Sequence, residues 1–123
     1  MPGPVEVTLR FPGTPEFLRL ARLAAADTGS RAGFDYDEIE DLRIAVSEVC
    51  AMVGSGEESR VVLAFTVTDD RVVVDASGDR PGTAPAEEEF AFALVKAVVD
   101  EFAVTENGPA GFQIVKTRRS SQT

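Results

Sequence analysis

The sequence predicts an α/β fold, a two-layer sandwich in which a mostly antiparallel sheet is covered on one face by three helices. Period-two segments follow one another across short turn signals, and three further segments carry an apolar stripe with helical spacing. Successive hairpins make such a sheet antiparallel. Helices with one apolar side each can share a core only by covering the same face.

Val5, Val7, Leu9 and Phe11 alternate with Glu6, Thr8 and Arg10, the pattern of a half-buried strand. Thr14-Pro15-Glu16 then offers an N-cap, a proline at the first helical position and an early acid, ahead of an apolar line of Phe17, Leu20, Ala21 and Ala24. This first helix is expected to end near Asp27, before Gly29. Asp35 and Glu38 form an acidic capping box, and Phe34 with Ile39 a hydrophobic staple, opening a second helix. Its stripe runs Ile39, Leu42, Val46, Val49, Val53 to a stop at Gly54-Ser55-Gly56. Two strands, Val61–Thr68 and Arg71–Ser77, meet at an Asp69-Asp70 hairpin turn, and Gly78–Pro85 reads as a loop. Phe90, Leu94, Val95, Val98 and Phe102 mark a third helix. Ala103–Glu106 and Phe112–Thr117 close the fold as a hairpin around Asn107-Gly108-Pro109.

The chain has 123 residues, 44% hydrophobic and 27% charged, which is ordinary globular usage. That length makes one domain, residues 1–118, with 119–123 as a loose tail. Twelve basic residues against 21 acidic ones leave a net charge of −9. Such a field repels phosphate backbones, so no direct nucleic acid partner is expected, while a basic protein partner would be attracted. The absence of histidine and the single cysteine exclude histidine triads, cysteine-histidine pairs and multi-cysteine zinc sites. Cys50 reads as a small buried apolar residue in a reducing compartment. No basic leader opens the chain and no apolar run approaches the roughly 20 residues of a membrane span, so the expected location is cytoplasmic, away from membranes. Chemistry, if any, falls to carboxylates, hydroxyls or a bound cofactor.

The run Asp41-Leu42-Arg43-Ile44-Ala45-Val46-Ser47-Glu48-Val49-Cys50 resembles the nucleotide-site helix of RsbW-type anti-sigma factors, serine-protein kinases of the GHKL (Bergerat) ATPase superfamily. Leu94 to Phe102 is similar to that family's third helix, and the order of elements agrees from Val5 to about Lys116. In the family a glutamate on the nucleotide-site helix polarises the group that attacks the γ-phosphate, and an asparagine four residues later holds magnesium, a hard cation that takes oxygen ligands. Glu48 matches the glutamate, but Met52 stands where the asparagine belongs and offers only a soft thioether. A family aspartate ahead of glycines receives the adenine amino group. Asp79 with Gly82 matches it in part, and Asp75 with Gly78 competes. The glycine turn that meets phosphates before the third helix is replaced by Glu87-Glu88-Glu89, like charge beside a triphosphate.

The resemblance therefore implies a degenerate site for ATP and magnesium at Glu48, Met52, Asp79 and Gly82, with no resident metal or cofactor expected. Its alternative is an active serine/threonine kinase with Glu48 as catalytic base. The family's helix-one arginine touches both the sigma factor and the anti-anti-sigma antagonist. Arg19 matches it, with Glu16 beside it and Arg22 further along the same helix. A homodimer is implied too. Read without the resemblance, Glu48 and Arg19 are equally solvated charges off the apolar stripes, and the acidic groups at Asp35–Asp41 and Glu87–Glu89 complement helix N-termini.

Overall fold

A computed structural model describes residues 3–54, 56–79, 85–105 and 110–119. The elements follow in the expected order: β1 (Val5–Gly13), α1 (Pro15–Arg31), α2 (Tyr36–Val53), β2 (Gly56–Val67), β3 (Arg71–Gly78), α3 (Pro85–Val98), β4 (Glu101–Val104) and β5 (Ala110–Thr117). They form one five-stranded sheet ordered β1-β2-β3-β5-β4, antiparallel at every pairing.

Register carries the strand alternation straight into the core. Leu9, Leu63 and Ala76 are paired across three strands, as are Val7, Phe65 and Val74, so their side chains share one face. That face meets Leu42, Val46, Val49 and Val53 of α2, Ala21 and Ala25 of α1, and Ala91 and Val95 of α3 in a single apolar cluster. Phe92, Phe102 and Phe112 fill the β4 end, with ring centroids 5.4–5.7 Å apart. The opposite face carries Thr8, Ala64, Asp75 and Gln113 in one row, and Gln113 Nε2 donates to Asp75 Oδ1 at 2.9 Å.

The turns show why the helices stop where they do. α1 runs past Asp27 and through Gly29 to Arg31. Gly29 is a packing residue: a β-carbon there would stand 3.1 Å from Phe34 and 3.2 Å from Ile39. The stop is Gly33, in the left-handed region at φ +82°, whose N–H donates to the Ser30 carbonyl while that of Phe34 donates to Gly29, the two bonds of a Schellman motif. Thr14 occupies the N-cap without a side-chain hydrogen bond. The capping box of α2 is complete, the Glu38 N–H donating to Asp35 Oδ1 and the Asp35 N–H to Glu38 Oε1.

Three further expectations need correction. Phe90 is 72% exposed, and the buried line of α3 is Ala91–Val95. Phe102 belongs to β4, because α3 ends at Val98 and the chain joins the sheet at once, with the Asp100 N–H donating to the Val115 carbonyl. Arg119, placed with the loose tail, is fixed: its N–H donates to Glu38 Oε2 at 2.6 Å and its guanidinium pairs with Asp35. Residues 120–123 and the Asn107-Gly108-Pro109 turn lie outside the described residues.

Candidate functional site

Helix α2 presents two stripes. One is the core stripe. The other, at positions 40, 43, 44, 47 and 48, faces away from the sheet and floors a cleft of about 430 Å³, with α1 on one side and α3 on the other. Arg22 enters it from α1 and Leu94 from α3. Arg22 Nη1 donates to Ser47 Oγ at 3.3 Å, tying α1 to α2, and Arg43 forms an ion pair with Glu40 one turn away. Glu48 stands half-buried on the wall and, among the described residues, makes no hydrogen bond or ion pair.

Met52, one turn beyond Glu48, is 2% exposed and belongs to the core cluster. Four residues of α-helix turn a side chain about 40° past a full revolution, which here carries it from the cleft wall to the sheet side. Below it, the end of α2 and the end of β3 touch through backbone. A β-carbon on Gly78 would overlap the Val53 carbonyl, and one on Gly54 would overlap Ser59 Oγ. Ser59 is fully buried. Asp79 is exposed, and its Oδ1 accepts from Ser59 Oγ at 3.0 Å and from the Arg60 N–H at 3.1 Å, joining the end of β3 to the start of β2.

Asp75, the competing candidate for the adenine contact, lies on the open face of the sheet, away from Glu48. Gly82 and the side chains of Glu87 and Glu88 lie outside the described residues. Glu16 and Arg19 are exposed on α1 and, among the described residues, have no partner within the chain. Neither lines the cleft. Arg22, one turn after Arg19, does.

The structure thus brings Arg22 and Glu48 together, leaves Glu16 and Arg19 on the adjoining surface, and sets Met52 and Asp79 into packing and hydrogen-bonding roles. Sequence reasoning missed Ile44, Ser47 and Leu94 as cleft residues, and Ser59 as the partner of Asp79. The spacing of Ile44, Ser47 and Glu48 was the available signal for the first two; the others depend on tertiary contacts. Cys50 is buried, its thiol pushed up to about 12 by desolvation against a smaller opposing pull from Arg22. Among the described residues no three acidic or thiol groups come together as a metal site, and no helix is long and apolar enough to cross a membrane.

Comparison with known proteins places this arrangement. Residues 11–116 match the sequence profile of the histidine kinase-like ATPase domain. The serine-protein kinase RsbW of Bacillus pumilus (strain SAFR-032) is 39% identical over 82 residues, covering 58% of this chain and 51% of that protein. The serine-protein kinase RsbW of Bacillus subtilis (strain 168) is 40% identical over 80 residues, covering 59% and 50%. That of Listeria monocytogenes (strain EGD-e) is 37% identical over 78 residues, covering 58% and 49%. The chain therefore spans about half the length of the curated relatives it matches. With the profile covering most of its length, and with the element order and sheet described above, the chain belongs to the histidine kinase-like ATPase domain family, and its similarity within that family runs to the RsbW proteins.

Proposed function

We propose that this chain is an anti-sigma factor of the RsbW kind, which sequesters a bacterial sigma factor and is displaced by an anti-anti-sigma protein, and that it does so without a working kinase site. The observation that carries the preference for binding over phosphoryl transfer is Met52. At the place where the family holds magnesium, this chain has a thioether 2% exposed to solvent. A buried soft ligand supplies none of the oxygen that magnesium requires, so the donor set does not fit the metal. Asp79, already hydrogen-bonded to Ser59 and Arg60, supports the same reading. The binding surface is proposed on α1, where exposed Glu16 and Arg19 have no partner within the described chain. A homodimer, as the resemblance implies, would present that surface twice.

The test is binding of the purified chain to the purified sigma factor of its own bacterium, first without nucleotide and then with Mg-ATP. Retention without nucleotide, lost in Arg19→Glu, is the expected result. Binding that requires Mg-ATP would overturn it in favour of an active serine/threonine kinase acting on the antagonist. That second reading draws on the half-buried position of Glu48 beside an open cleft. It requires saturable Mg-ATP binding, worth about 2.7 kcal/mol of stabilisation at 100 times the dissociation constant.

A further inference from the structure

We propose that the cleft over α2 receives a helix of the protein partner, anchoring one apolar side chain on Ile44 and Leu94 between a carboxylate that meets Arg22 and a cation that meets Glu48. The inference rests on the partner-binding reading above and adds to the α1 surface a second contact, built from different residues.

Two features of the cleft ask for such an occupant. The first is charge. Arg22 and Glu48 are half-buried in one cleft, yet no ion pair joins them. Among the described residues Arg22 is engaged only by a neutral hydroxyl, which leaves most of its five N–H donors unused, and Glu48 has no partner. Opposite charges held apart in a cleft that also exposes Ile44 and Leu94 match a ligand that carries both signs with an apolar group between them. A helix does this with side chains three or four residues apart. The second feature is apolar exposure. Ile44 is 38% exposed on the floor, and Phe90, one turn before Leu94 on α3, is 72% exposed. Phe90 does not line the cleft itself, but four residues before Leu94 it shares that side of α3, where the bound helix would meet it beyond the cleft. Helix-in-groove recognition uses anchors of this kind, an apolar residue seated and charges at the rim.

The experiment measures dissociation rates of the purified sigma factor and of the purified anti-anti-sigma protein from the chain and from five single variants, Arg19→Glu among them. Phe90→Asp and Leu94→Asp challenge the apolar wall, and Glu48→Gln the charge. Tyr36→Asp alters an apolar residue 74% exposed that does not line the cleft. Dissociation faster by about 30-fold or more in Phe90→Asp and Leu94→Asp for at least one partner, a smaller increase in Glu48→Gln and none in Tyr36→Asp supports the assignment. Phe90 contributes little to the core, so its variant reports on binding even if Leu94→Asp fails to fold. If Arg19→Glu abolishes binding while the cleft variants leave it within twofold, the anti-sigma reading stands and the cleft proposal falls. Should the cleft variants instead dissociate a self-associated form in sedimentation, the occupant is a second copy and the proposal is likewise overturned. If neither partner binds the unaltered chain, a photoreactive phenylalanine at position 94 decides. A cross-link inside the cell mapped to an amphipathic helix of another protein upholds the cleft, and no cross-link removes it.

Discussion

Replacing Met52 by asparagine, the residue that the resemblance implies at this position, distinguishes a filled core from an open nucleotide site. With 2% of Met52 exposed, nearly its whole side chain is withdrawn from water, worth about 1.5–3 kcal/mol. An asparagine amide would lose that transfer energy and bring polar atoms that need partners, costing about 1–3 kcal/mol more where they find none. Met52→Asn should therefore destabilise the fold by about 3–5 kcal/mol, whereas the volume-conserving Met52→Leu should cost less than about 1.5 kcal/mol. Urea titration followed by circular dichroism would show the midpoint fall with an unchanged slope, and the melting temperature should drop by roughly 10–20 °C. A loss below about 1 kcal/mol, accompanied by a new Mg-ATP-dependent melting shift, would refute the reasoning. Met52 would then stand at the edge of an open site.

Further outcomes follow from other contacts. Gly78→Ala drives a β-carbon into the Val53 carbonyl and should cost about 3 kcal/mol or prevent folding, which soluble yield and urea midpoint would reveal. The Asp35 carboxyl is held below its ordinary value of 3.8, first by the Glu38 N–H and then by Arg119. The folded chain thus gives up this proton at lower pH than the unfolded one. The stabilisation is complete above the unfolded value and drains away as pH falls below about 4 through the folded value. Asp35→Asn should flatten that acid limb in urea titrations run from about pH 5 downward; an unchanged limb would assign it to other carboxylates. Cys50, its thiol pushed up to about 12, should resist a thiol reagent near pH 8 in the native state and react fully in denaturant.

Local signals carried most of the fold. The reciprocal Asp35–Glu38 box and the Asp69-Asp70 turn act over three or four residues, so their chemistry is visible in sequence. Misreadings arose where two physical demands share one residue type or one spacing. Gly29 looks like a stop, yet its missing side chain admits Phe34 and Ile39 within an unbroken helix. Phe90 and Ala91 compete for the buried side of α3, and the larger residue gives the louder apolar signal although the alanine is inside. Phe102 continues the helical spacing by coincidence, just after the chain has entered the sheet. At the candidate site, Glu48 and Met52 stand four residues apart in sequence, and only packing against the sheet separates wall from core. The Arg22–Ser47 contact spans 25 residues and Asp79–Ser59 spans 20, so neither could be read locally.

The bond from the Arg119 N–H to Glu38 Oε2 has a consequence for the order in which the molecule is finished. Its ends are 81 residues apart, and Glu38 is 2% exposed in the native fold. At ordinary synthesis rates of about 5–20 residues per second, roughly 4–16 s separate the appearance of the acceptor from that of its donor. During that interval the capping box can close through Oε1 alone, leaving the second oxygen to water. A chain cut after Thr117 would hold all five described strands and three helices, yet the first turn of its second helix would carry a buried carboxylate whose second oxygen, among the described residues, only the missing Arg119 satisfies.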